Sequence, residues 1–194
     1  MRPDDAGLNG SASGHGGESA EDPNGAPYHL VGLDGQDMES GSLDSAAVSA
    51  SQRAAVVAEA RSWIRTPYHH AADVKGHGVD CAFLLIRVYC DLGLVDSFDP
   101  RPYTRDWFLH RDEERYLGFL LARSHEVSEP GLGDIILFRM GRCFAHAGIV
   151  SQVKPLRMIH AFAPSRCVVE DIIESNAELS SRMKTTKFAS YWGA

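Results

Sequence analysis

The spacing of apolar residues changes once along the chain, near Pro130, and that change predicts the fold class. Upstream the period is helical. Val57, Ala60 and Ile64 recur at i, i+3 and i+7 and Pro67 stops the run, which predicts a first helix from about Ala47 to Ile64. A polar, glycine-containing loop, HHAADVKGHG, leads to a second helix from Asp80 to about Leu92. Its stripe is Leu85, Val88, Tyr89 and Leu92, with Asp80 as N-cap and Gly93 as the C-terminal stop. Residues 96–111 carry Pro100 and Pro102 and read as loop, and DEERYLGFLLA, Asp112 to Ala122, reads as a third helix with acids in its first turn.

Downstream of Pro130 the period is two. DIILFR (134–139), HAGIVSQV (146–153), RMIHAF (157–162), CVVEDI (167–172) and TTKFASYW (185–192) are short β-rich runs. Helices first and about five antiparallel strands afterwards predict an α+β domain.

Composition adds a boundary. At 194 residues, 44% of them hydrophobic, the chain has room for one packed domain and some extra. The formal charge of −7 belongs to the first 46 residues, which hold nine acids and only Arg2; the remainder is nearly neutral. That segment also holds nine of the 18 glycines and few large apolar residues, so residues 1–46 read as a flexible acidic segment, by composition a solvated tail before it is a tether that orders on a partner, with PYHLVGL (27–33) as its one anchor. Residues 47–194 read as the folded domain, with an inserted segment at 96–126. A neutral body offers no basic face for nucleic acid. No stretch reaches the ~20 apolar residues of a membrane span, and MRPDDAGLNG lacks the regions of a signal peptide, so synthesis in the cytoplasm is expected. The cysteines Cys81, Cys90, Cys143 and Cys167 form no C-x-x-C pair and are expected reduced.

Cys81 is the candidate nucleophile. It follows the N-cap candidate Asp80, where unpaired N–H groups and the helix dipole favour a thiolate and can hold an oxyanion. Cys90 lies nine residues on, on roughly the opposite helix face and over ~10 Å along the axis, and cannot share that site. Cys143 and Cys167 stand at strands, with no helix start beside them. A thiol hydrolase needs an imidazole against the sulfur and a third group to orient it. His146 shares a strand face with Gly148 and Val150, and His160 lies on the next strand with Met158 and Phe162; adjacent antiparallel strands can set the two rings side by side. His69, His70 and His77 have no second ligand group at metal spacing, so no metal or other cofactor is expected.

The motif series WIRTPY, GVDCAFLLIRVYCDLGL, PGLGDIILFR, HAGIV and MIHAF, over about residues 53–192, resembles the NlpC-type cell-wall endopeptidases of the NlpC/p60 superfamily. The resemblance implies a papain-like α+β fold, with the nucleophile at a helix start packed against a five-stranded antiparallel sheet or barrel. It also implies Cys81 as nucleophile, His146 as base and His160 as third residue, with Tyr68 and Asp80 as substrate-binding residues. The implied substrate is the γ-D-glutamyl to diamino-acid bond of peptidoglycan stem peptides. The chain departs from the family in reading DCAF where Asp-Cys-Ser-Gly is usual, and HHAA after Pro-Tyr where Trp-Gly-Gly is usual.

YTRDWFLHRDEERYL with GRCFAHAGIV resembles the branch encoded among phage and prophage tail genes. This implies a tail-associated enzyme acting at the cell wall during DNA entry, with tail-tip proteins as partners, attached through the N-terminal segment. Trp107 and the tyrosines of the insert would pack the core of the inserted helix, or else line a subsite or meet a tail protein. A thiol acyltransferase on the same fold and a structural tail protein with an unused site are the alternatives.

Overall fold

A computed structural model describes residues 37–105 and 113–193, with side chains from Ser45 onward. PYHLVGL, the tether reading of residues 1–36 and Trp107 lie outside the described residues.

Helix α1 spans Asp37–Ser62, beginning upstream of the expected Ala47 and taking in part of the segment read as flexible. It buries Val56, Val57 and Ala60. Ile64, placed on that stripe by its spacing, is 36% exposed, because the helix ends at Ser62 and Trp63, 2% exposed, turns inward instead. The polar loop that follows contains a two-residue ladder that the period did not predict, β1 (Asp73–Val74) with β2 (Gly78–Val79).

Helix α2 spans Cys81–Asp91 and buries Phe83, Leu84, Leu85, Val88 and Tyr89. Helix α3 spans Arg115–Leu121, shorter than expected at its start. The reason is Glu114: its carboxylate binds Arg139 Nη2 at 2.6 Å and the Phe144 amide at 2.9 Å, which draws it toward the sheet rather than into a helical turn.

The five predicted β runs appear as β4 (Ile135–Met140), β5 (Cys143–Gln152), β6 (Arg157–Phe162), β7 (Cys167–Ile172) and β8 (Lys187–Ser190). The sheet has six strands, since His125–Val127 adds β3, too short to show a period. All pairs are antiparallel in the order β3-β8-β4-β5-β6-β7, so the sheet is open, ending at β3 and β7.

Alternation along the strands makes two cores. Trp63, Leu84 and Val88 pack with Ile149 and Ile159 on one side. Ile136, Phe138, Val150, Met158 and Phe162 form the other, covered by Ile173 and by Leu179 of the short helix α4 (Ala177–Ser180). Burial of each such side chain stabilises by roughly 1.5–3 kcal/mol. No helix among the described residues is long and apolar enough to cross a membrane.

Candidate functional site

Cys81 is the first residue of α2. Asp80 before it is extended (φ −107°, ψ 179°), and its Oδ1 accepts from the amides of Ala82 at 3.2 Å and Phe83 at 3.0 Å. Its Oδ2 accepts from the Ala71 amide at 2.8 Å and the Tyr103 hydroxyl at 2.6 Å, with His70 Nδ1 at 3.7 Å. Asp80 is 2% exposed. It was expected to bind substrate; it lies on the wall of the cavity that Cys81 lines, and both of its oxygens are engaged by the protein, one of them capping α2 beside Cys81. The cap also uses two amides expected to hold an oxyanion, while the amide of Cys81 itself lies against its own sulfur.

The base side is set by a β-bulge. Phe138 pairs with His146 and Arg139 with Phe144, which leaves Ala145 as the extra residue on β5. The Cys81 thiol donates to the carbonyl of that residue at 3.8 Å. The resting thiol is thus bonded to the carbonyl next to His146 rather than to the expected imidazole. Gly148, two residues on, lets β5 approach β6: a Cβ there would meet Ile159 O at 2.9 Å, Met158 Sδ at 2.9 Å and the His160 Cβ at 3.0 Å.

His146 Nε2 and His160 Nδ1 are 2.8 Å apart, with ring centroids at 5.1 Å. His160 is wholly buried, and its Nε2 reaches Asp171 Oδ2 on β7 at 3.3 Å. Asn176 Nδ2 donates to the same oxygen at 2.8 Å. Sequence reasoning missed Asp171. Its signal was an acid two residues after Val169, which pairs with His160, so that alternation returns it to the histidine side of the sheet.

Cys81 and His146 line one cavity of about 600 Å³ together with Tyr68, Tyr103, Tyr116 and Arg105. The Tyr116 hydroxyl donates to the Cys81 carbonyl at 3.4 Å. Tyr103 and Tyr116 of the inserted segment pack against the core, as expected, and also lie on this cavity, one bonded to Asp80 and the other to Cys81. Tyr68 also lies on the cavity wall, and no hydrogen bond among the described residues engages its hydroxyl. Cys90 is bonded to Asp96 O at 3.6 Å and does not line the cavity, Cys143 is buried, and Cys167 opens β7 opposite Phe162. His70 packs edge-on against Tyr103, while His77 turns to Lys75 O. No cluster among the described residues has the donors to hold a metal ion.

Burial pushes the Cys81 thiol up to about 12, and the nearby Asp80 carboxylate adds to the rise. Burial holds His146 well below the ordinary imidazole value, and any charge on His160 and the charge of Arg182 act in the same direction. Phe138 and Phe162, at ring centroids of 6.2 and 5.5 Å, supply the apolar walls. Both shifts favour the neutral forms, a thiol on Cys81 and an uncharged imidazole on His146. A neutral thiol and a neutral imidazole can pass a proton between them only as the sulfur forms a new bond.

Neither a family model nor a curated protein matches the chain. Several solved structures resemble it. The NlpC/p60 domain of the peptidoglycan hydrolase SagA aligns at 23% identity with TM-score 0.47, over 71% of this chain and 96% of that one. NlpC1 from Trichomonas vaginalis aligns at 15% and 0.44, over 63% of this chain and 39% of that one. An NlpC/p60 family protein from Bacillus cereus aligns at 17% and 0.48, over 67% and 38%. The chain spans about two fifths of the length of the latter two.

Proposed function

We propose that the protein is a cysteine peptidase that hydrolyses peptidoglycan stem peptides. The observation that carries the chemistry is the single cavity walled by Cys81 and His146, with His146 tethered to a buried His160. In the proposed reaction His146 takes the Cys81 proton while the sulfur bonds to the amide carbonyl carbon. The developing oxyanion is held by the amide of Cys81, with Tyr68 as a second donor. His146 then protonates the leaving amine, the C–N bond breaks, and a water activated by the same imidazole splits the thioester to release a carboxylate.

The substrate follows from the motif series shared with NlpC-type endopeptidases, which points to the γ-D-glutamyl to diamino-acid bond. The likeness of the inserted segment to phage-tail members points to a tail-borne enzyme that opens the wall locally during DNA entry. Residues 1–36 are then its attachment to tail-tip proteins, and the chain from the start of α1 at Asp37 its catalytic domain.

The test is Cys81→Ala against purified cell walls and a defined muropeptide, followed by mass spectrometry of the products. The wild type is expected to release a free γ-glutamyl carboxylate and the variant to release none while unfolding at the same temperature. Equal lysis by both proteins would remove Cys81 from the chemistry.

A further inference from the structure

Three neighbouring strands each contribute one polar side chain to a continuous chain of hydrogen bonds: His146 on β5, His160 on β6 and Asp171 on β7. The register accounts for the last link. His160 is paired with Val169, and Asp171, two residues further, is paired with Met158, so Asp171 and His160 are diagonal neighbours on the same side of the sheet. We propose that Asp171 is a positioning residue of this site, which sets the protons on both histidines so that His146 offers an unprotonated Nδ1 for the Cys81 proton.

The reasoning is one of donors and acceptors. An ionised carboxylate only accepts. His160 holds the Asp171 carboxyl below the usual carboxylate range, which keeps it ionised near neutrality. The nitrogen facing it, His160 Nε2 at 3.3 Å, therefore carries the hydrogen. In a neutral ring His160 Nδ1 is then a lone pair, and the His146 Nε2 that lies 2.8 Å away must donate to it. His146 is thereby fixed as the Nε2–H tautomer, with Nδ1 left to act as base.

The opposite arrangement would set a bare His160 nitrogen against a carboxylate. His160 is wholly buried, so bulk water does not relieve that repulsion. Asn176 donates to the same carboxylate oxygen at 2.8 Å and holds it in place. When His146 becomes positive during attack, the carboxylate at the far end of the chain opposes the new charge. Arg182, which faces His146, acts against it.

The inference rests on the peptidase reading but is measured without it. Two-bond proton–nitrogen NMR on the wild type at pH 7 assigns the imidazole tautomers, and both His146 and His160 are expected as Nε2–H. A His160 carrying its hydrogen on Nδ1 overturns the inference, whatever the activity. In the same protein Asp171→Ala is expected to lose on the order of 10²-fold in kcat with KM unchanged, less than the ~10⁴-fold seen where a wrong tautomer is enforced.

Asp171 is 28% exposed at its side chain, so added formate can enter the space and is expected to restore part of the rate. A folded Asp171→Ala within threefold of wild type, or a loss lying wholly in KM, overturns it; if the alanine variant does not fold, the wild-type tautomers alone decide. A wild type with both Nε2–H tautomers but no hydrolysis of cell walls removes the peptidase reading and leaves the proton arrangement standing.

Discussion

The two halves of the site are held by different kinds of structure. His146, His160 and Asp171 stand on adjacent strands, and their spacing is the spacing of the ladder itself. Cys81 depends instead on a few hydrogen bonds between segments far apart in the chain: Ala71 and Tyr103 to Asp80, and Tyr116 to the Cys81 carbonyl. The helix that carries Tyr116 has no fully buried residue. The base half is therefore as stiff as the sheet, and changes there act on chemistry with little room to relax. The nucleophile half can lose a bond and settle, so changes there act first on stability and only then on rate.

The largest effect is expected where the ladder is forced open. Gly148→Val places atoms against Ile159 O and the His160 Cβ, at 2.9 and 3.0 Å for the first carbon alone. Overpacking of that kind costs about 1–3 kcal/mol. The histidines move with their strands, and a displacement near 1 Å costs on the order of 10²-fold in kcat. Urea unfolding and turnover of a defined muropeptide measure the two separately. A valine variant with near-normal kcat would show that the close approach of β5 and β6 does not set the geometry of the bases.

The same contrast explains what was legible in the sequence. Strand alternation is local, so the sequence alone was enough to place His146 and His160 on neighbouring strands and Cys81 after its cap. Asp171 followed the same rule but stood on a strand with no clean alternation of burial, and nothing drew attention to it. The capping bonds from Tyr103 and Ala71 span 23 and nine positions and leave no periodic trace. Six strands were read as about five because His125–Val127 is shorter than any period can reveal, and the sheet proved open. The environment of the thiol was not legible either. A helix start argues for a thiolate, but burial and the Asp80 charge, both tertiary, outweigh it.

A smaller effect is expected at Tyr103. Its hydroxyl is one of two donors to a buried carboxylate oxygen, at 2.6 Å, and Tyr103→Phe leaves that oxygen with the Ala71 amide alone. Loss of a bond to a buried charged group costs about 1–3 kcal/mol. Because Asp80 keeps both bonds to the start of α2, Cys81 stays in place and kcat/KM is expected to fall less than tenfold. A Tyr103→Phe protein as stable as wild type but with 10²-fold lower turnover would make Tyr103 part of the chemistry and erase the distinction drawn between the halves.

The smallest expected effect, and the one that isolates charge from position, is that of Asp80→Asn on the thiol. Asparagine is an equally good N-cap, so the start of α2 keeps its acceptor. The Ala71 amide loses its partner, and a modest fall in unfolding temperature accompanies the change. Asp80 raises the Cys81 value, so its neutralisation must lower it, while the larger rise caused by burial remains. At pH 8, far below about 12, the thiol is almost wholly protonated. Each unit of fall then multiplies the thiolate tenfold and cuts its intrinsic nucleophilicity about threefold, a net gain of roughly threefold in alkylation. Iodoacetamide labelling of Cys81, read by peptide mass spectrometry across pH 7–9, gives the number. Unchanged or slower labelling in the folded variant would mean that the carboxylate acts on the sulfur only through position, and that both halves of the site are tuned by geometry alone.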